Sequence, residues 1–225
     1  GDYIMINKFK RIFDKSLEFI INKKKLITST LLILLVIISS IIIITNNSAP
    51  VLSLKSPTNE ITYDYKDEIV IPVTLNKLPD NYYPAANVAV SFNKNKLEFV
   101  GIKIGTMEAY DDYDKSKDGQ PNFKIPKWVY NADVANQEGV IKAMYLDTTA
   151  SKNAYCLDGF KKKEKDTPFQ LVFKLKDSVI SNDKLALNIE EATFATISGD
   201  VDKSTISTKD NYGKLKIKNT EIKIK

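Results

Sequence analysis

From Leu26 to Thr45 the chain reads LITSTLLILLVIISSIIIIT, twenty residues without a charge. At about 1.5 Å per residue, a helix of that length covers roughly 30 Å, the hydrocarbon thickness of a bilayer. Six of the twenty are Ser or Thr, whose hydroxyls bond back to helix carbonyls. The eight isoleucines do not oppose a helix in lipid, where the backbone must satisfy its own polar groups. The run predicts a transmembrane helix over 26–45. Two alternatives stand beside it. A buried core helix is rarely apolar on every face. A cleaved signal peptide has a shorter apolar stretch and a small-x-small site, whereas Asn47-Ser48-Ala49 begins with a bulky polar residue. Upstream, Phe9, Ile12, Phe13, Leu17, Ile20 and Ile21 recur at helical spacing among lysines. That pattern suits either a helix lying on anionic lipid or a solvated basic tail.

After a polar linker, 46–50, the period changes to two. Strand patterns follow at 51–55, 60–64, 68–75, 85–92, 97–105, 123–130, 139–147, 168–176, 184–197 and 213–219, separated by Asn, Asp, Gly, Pro and Lys clusters. In 85–92, Ala86, Val88, Val90 and Phe92 fall on one face and Ala85, Asn87, Ala89 and Ser91 on the other. In 168–176, Phe169, Leu171, Phe173 and Leu175 oppose Gln170, Val172, Lys174 and Lys176. One apolar face per strand is what two packed sheets require. Nothing after residue 50 sustains helical periodicity and nothing repeats, so the pattern predicts an all-β sandwich over 51–219, with 220–225 a tail or a last strand.

Charge then orients the chain. Residues 1–25 hold seven Lys/Arg against three acids, which leaves +1 of the total +5 for everything beyond. The positive-inside rule places 1–25 in the cytoplasm and 46–225 outside, a single-pass protein with the bilayer as its first partner. The nearly neutral outer part has no Arg, which argues against a nucleic-acid reader. The absence of histidine removes Ser-His-Asp and Cys-His catalysis and imidazole-ligated metals. The lone Cys156 permits neither an internal disulfide nor a CxxC site, and reads as an inert small residue. Glycoside hydrolysis needs only two carboxylates, but a pair such as Glu190-Glu191 is expected to point to opposite faces of a strand.

The segment Ile71–Gly105, preceded by Ile69-Val70, resembles the opening of a cohesin domain. It runs Ile69-Val70-Ile71-Pro72-Val73, then an alternating strand ending at Phe92, a turn at Asn93–Lys96, Leu97-Glu98-Phe99-Val100, and Gly105. Residues 139–147 and 166–176 are similar to the family's sixth and eighth strands, the latter closing on Phe173-Lys174-Leu175-Lys176. The resemblance implies a nine-stranded jelly roll, like that of carbohydrate-binding modules. It also implies no enzymatic activity, no cofactor, and a flat face that docks the dockerin of a secreted polysaccharide-degrading protein. Carried over by position, the face takes Ala85, Asn87 and Ala89 from the third strand, Trp128 or Tyr130 from the fifth, and Tyr145 and Asp147 from the sixth. Where this strand of the family often has a polar pair, only Asn87 is polar here. For Trp128 and Tyr145, core packing is the equal alternative, since a one-residue slip reverses every side chain.

Two other constellations are legible. Asp114, Ser116, Asp118 and Gly119 match the first half of an EF-hand loop, but Ile125 stands where the closing acid belongs. That leaves a weak calcium candidate inside an expected solvated loop. Trp128, Tyr130, Tyr145 and Tyr155 together would make an aromatic platform for sugar rings, so direct binding of polysaccharide is the alternative function.

Overall fold

Alternating strands form sheets only where partner strands lie alongside, and the computed structural model shows which do. It describes residues 49–57, 60–115, 121–148, 153–160, 166–196 and 204–225. The predicted membrane helix over 26–45 and the basic segment before it lie outside these residues, as do Ser116 and Asp118. Among the described residues no helix is long and apolar enough to cross a membrane. Residues 49–225 form one compact unit.

In chain order the elements are β1 (Val51–Leu54), β2 (Ile69–Leu75), β3 (Tyr82–Tyr83), β4 (Ala85–Phe92), β5 (Leu97–Ile104), β6 (Ala109–Lys115) and β7 (Pro121–Lys124). Helix α1 (Ala132–Glu138), β8 (Val140–Leu146), β9 (Asn153–Cys156) and a helical turn at Leu157–Phe160 come next. The chain closes with β10 (Phe169–Leu175), β11 (Lys184–Ala195), β12 (Ile206–Ser207), β13 (Gly213–Lys214), β14 (Lys216–Lys218) and β15 (Thr220–Lys223). One sheet has the order β14-β1-β2-β10-β5; a second has β13-β12-β11-β4-β8, with β15 also on β11; a third, small sheet has β3-β9-β6-β7.

The first two sheets make the sandwich. Ala86, Val88, Val90 and Phe92 of β4 are buried, as the period-two pattern requires, and meet Phe169, Leu171 and Phe173 of β10 from the facing sheet. The Phe92 and Phe173 rings meet edge to face at 5.4 Å, and Phe99 of β5 lies 5.7 Å from Phe173. Edge-to-face packing sets the positive rim of one ring on the negative face of the next and adds about 0.5–1.5 kcal/mol beyond area burial.

The structure departs from the sequence pattern in several places. Among the described residues the sandwich is divided into fifteen strand segments in three sheets, more than the nine expected. The segment 60–64 is not a strand; only Ile61 bridges, in parallel, to Ile224. The expected strand 123–130 stops at Lys124, because Pro126 has no N–H for a ladder, and resumes only as a bridge at Val129. Residues 213–219 divide between both large sheets at buried Leu215. The expected loop around Asp111–Asp114 is part of β6, paired with β7 and β9. Its small sheet packs Tyr83 and Tyr155 inward, both fully buried.

Helix α1 is too short for periodicity to announce. Its caps explain it: the Asn131 side chain accepts from the Val134 N–H at 3.0 Å, and Gly139, at φ 76°, closes the far end by donating to the Ala135 carbonyl. The helix seals a sheet edge. Asn136 Oδ1 accepts from the Phe99 N–H at 2.8 Å, and its Nδ2 donates to the Phe99 carbonyl at 2.9 Å, so one side chain imitates a neighbouring strand for β5. Val129 does the same for β8 with its backbone, exchanging bonds of 2.7 and 2.9 Å with Met144. An unpaired edge is a template for aggregation. Asn136→Leu is therefore expected to cost about 1–3 kcal/mol in urea unfolding, the penalty for part-buried backbone groups left without partners, and to raise concentration-dependent light scattering. Unchanged values for both would refute the sealing role.

Candidate functional site

The outer face of the second sheet is built from β4, β8 and β11. Residues of β4 that do not enter the core, Ala85, Asn87, Ala89 and Ser91, must face outward, and all four are half-buried. Register then places Leu146 beside Ala85, Met144 beside Asn87 and Lys142 beside Ala89. These three are the exposed positions of β8, with Met144 57% and Leu146 66% accessible. Val129, bridged to Met144, is 67% accessible. Three large apolar side chains thus stand together at the β8 edge, beside a floor of two alanines.

On the other side of β4 the face turns acidic. The β11–β4 ladder shifts register between Ile189 and Glu191. This bulge brings both Glu190 and Glu191 to the outer face, where Glu190 accepts from the Ser91 hydroxyl and Glu191 accepts from the Asn87 amide at 3.2 Å. The expectation that adjacent carboxylates face apart is thereby overturned, because a bulge resets the parity of a strand. Lys209 Nζ lies 2.9 Å from Glu191. Its donated bond is the largest cause holding the Glu191 carboxyl below the usual range; partial burial opposes it, and the Asn87 amide adds to the lowering. A carboxyl held ionised by two donors is suited to accepting hydrogen bonds, not to delivering a proton. At the β8 end, Lys142 pairs with Glu138 at 3.0 Å.

Of the residues the sequence singled out, the structure brings Ala85, Asn87 and Ala89 onto this face and does not bring Trp128, Tyr130 or Tyr145. Tyr145 is on the inner side of β8, 7% accessible, its ring 5.1 Å from Tyr155 and 6.4 Å from Trp128. Trp128, 6% accessible, packs 4.4 Å from Phe169 and donates its indole N–H to the Tyr155 hydroxyl at 3.0 Å. Burial pushes the Tyr155 phenol well above its ordinary pKa, against the lowering effect of that bond. Three of the four aromatic residues of the sugar platform, Trp128, Tyr145 and Tyr155, are therefore core. Tyr130 turns toward the other sheet, edge-on to Phe99 at 5.6 Å with its hydroxyl over Gly101, where a Cβ would come within 2.6 Å. Asp147 follows β8, half-buried, its N–H donating to the Pro84 carbonyl at 2.7 Å. Asp114 lies in β6, and the rest of the calcium candidate is outside the described residues.

The sequence reading missed Met144, Leu146, Val129 and the Glu190–Glu191 bulge. For β8 a signal was present: Lys142 shares its side of the strand with Met144 and Leu146, and a lysine marks the solvent side.

No family model matches the sequence, and comparison with curated proteins finds no match. Solved structures do match the fold. A cohesin–dockerin complex from Clostridium thermocellum, containing the OlpC cohesin, aligns at 12% identity over 80% of this chain and 95% of that one, with a TM-score of 0.52. The sixth cohesin of scaffoldin B from Acetivibrio cellulolyticus, solved with a mutant Cel5 dockerin, aligns at 18% identity over 79% of this chain and 100% of that one, with a TM-score of 0.51. The chain thus has the β-sandwich fold of cohesin domains.

Proposed function

We propose that residues 49–225 are a non-catalytic docking module. The outer face of β4 and β8 receives the helices of a dockerin borne by a secreted, polysaccharide-degrading protein. The carrying observation is the exposed cluster of Met144, Leu146 and Val129 beside Ala85 and Ala89. Large flexible apolar groups supply contact energy, and alanines let a partner backbone approach closely. Asn87, Glu191 and Lys209 add hydrogen-bonding groups at the margin, the polar rim such interfaces have. An interface of ordinary size would bury roughly 800 Å² on this side. The OlpC cohesin and the sixth scaffoldin B cohesin were each crystallised with a dockerin, which supports the same reading. The uncharged run over 26–45 and the lysines before it support a membrane anchor that holds the module outside the cell.

Immobilised residues 49–225 are expected to retain a dockerin-bearing protein from the secreted proteins of the producing cell. Retention of nothing, or only of proteins without a dockerin, overturns the docking reading. The anchor is tested separately: the full chain should stay with membranes in alkaline carbonate, and its release into the supernatant refutes a spanning segment.

A further inference from the structure

On the far side of β11 from β4, where the two large sheets meet, lies an open groove of about 1010 Å³. Its walls are the residues following β1, the turn between β14 and β15, and the outward positions of β11 and β15. Among the described residues none of the outer residues of β4 or β8 contributes to it; the groove borders the docking face only through β11, where Asn188 stands opposite Ser91. We propose that it binds an acidic polysaccharide, a chain of sugars carrying carboxylates.

Four lysines line the groove, Lys55, Lys218, Lys223 and Lys225, against two carboxylates, Glu60 and Glu221. Lys225 pairs with Glu60 at 3.0 Å, and Lys223 with Glu221 at 3.6 Å. Among the described residues no carboxylate stands within ion-pair distance of Lys55 or Lys218. Among the described residues the side chains lining the groove therefore carry a surplus of two positive charges, in a part of the chain that is otherwise close to neutral. In the β11–β15 ladder, moreover, Lys184 stands directly opposite Lys223. Like charges directly across a strand pair destabilise it, and a bound anion relieves that repulsion.

The remaining lining chooses among anions. Among the described residues no aromatic side chain lines the groove to offer nucleic-acid bases a stacking surface. Its two large aliphatic residues, Leu54 and Ile61, are buried in the core, so an amphipathic peptide finds little apolar surface. Lysine ammonium groups are compact point charges without the fork that Arg presents to phosphate. Beside them lie the hydroxyls of Ser56 and Thr220, 2.6 Å apart, and the Asn188 amide. The two glutamates, already neutralised by their lysines, accept hydrogen bonds from hydroxyl groups. Cations for carboxylates, together with acceptors and amides for hydroxyls, answer the alternating chemistry of an acidic sugar chain.

Residues 49–225, a compact unit with its own core, provide the material for the test. Native gels containing polygalacturonate should retard the protein, gels containing neutral galactan should not, and the retardation should weaken as salt rises. In a Lys55→Gln/Lys218→Gln variant with an unchanged circular dichroism spectrum, the dissociation constant for polygalacturonate should rise at least tenfold. A Met144→Glu/Leu146→Glu variant should bind polygalacturonate like the wild type, which separates the groove from the docking face. Absence of retardation by polygalacturonate overturns the proposal, as does equal retardation of wild type and lysine variant. Binding to polyphosphate as tight as to polygalacturonate overturns it too, because the groove then reads charge alone.

Discussion

Replacing Met144 and Leu146 together by glutamate is expected to weaken dockerin binding at least a hundredfold while leaving the unfolding free energy within about 0.5 kcal/mol of wild type. Both side chains project from β8 into solvent, so the unbound protein loses little contact when they change. They are two residues apart on one strand, about 7 Å, and occupy the most apolar part of the face. A helix seated there would bury both. Two carboxylates in that position would have to be desolvated without partners, and a hundredfold loss corresponds to about 2.7 kcal/mol, well within the cost of burying an unpaired charge. Titration calorimetry of wild type and variant against one dockerin measures the difference. Undiminished affinity in the double variant would remove the face from the interface. Asn87→Ala makes a graded comparison, since its amide already bonds Glu191 within the module and only its spare capacity is open to a partner.

Trp128→Ala is expected to lower the unfolding free energy by about 3–5 kcal/mol, the range for truncating a buried aromatic residue. Its ring fills the space between Phe169 and Tyr145, and its N–H is the donor to the buried Tyr155 hydroxyl. Trp128→Phe keeps an aromatic ring and removes only the donor, so its cost should fall to about 1–3 kcal/mol. Urea unfolding followed by circular dichroism reads both. A Trp128→Ala variant as stable as wild type, but deficient in sugar retention, would restore the tryptophan to the surface and contradict its place in the core.

The two tyrosine and tryptophan assignments show where sequence pattern loses its grip. In β4, alternation separates bulky apolar residues from small and polar ones, so the inner face announces itself and Asn87 falls outside. In β8 both sides are apolar: Ile141, Ala143 and Tyr145 on one, Val140, Met144 and Leu146 on the other. Only Lys142 distinguishes them, and a family resemblance carried over one position out of register selects Tyr145 instead of Met144. Glu190 and Glu191 fail for a different cause, since a bulge changes parity without leaving any mark in composition.

The amino-acid sequence alone determined the all-β character of the part after residue 50, the two faces of β4 and the inward Phe169, Leu171 and Phe173 of β10, though not the burial of Val172 beside the β10 register shift, and the exclusion of imidazole chemistry. Each of these follows from local spacing or from residues that are simply absent. Tertiary structure decided the inner side of β8, the shared face of Glu190 and Glu191, the sealing of β5 by Asn136, and the lysine groove between β1 and β15. Those depend on which distant segments become neighbours, and a period of two carries no information about the strand that will lie alongside.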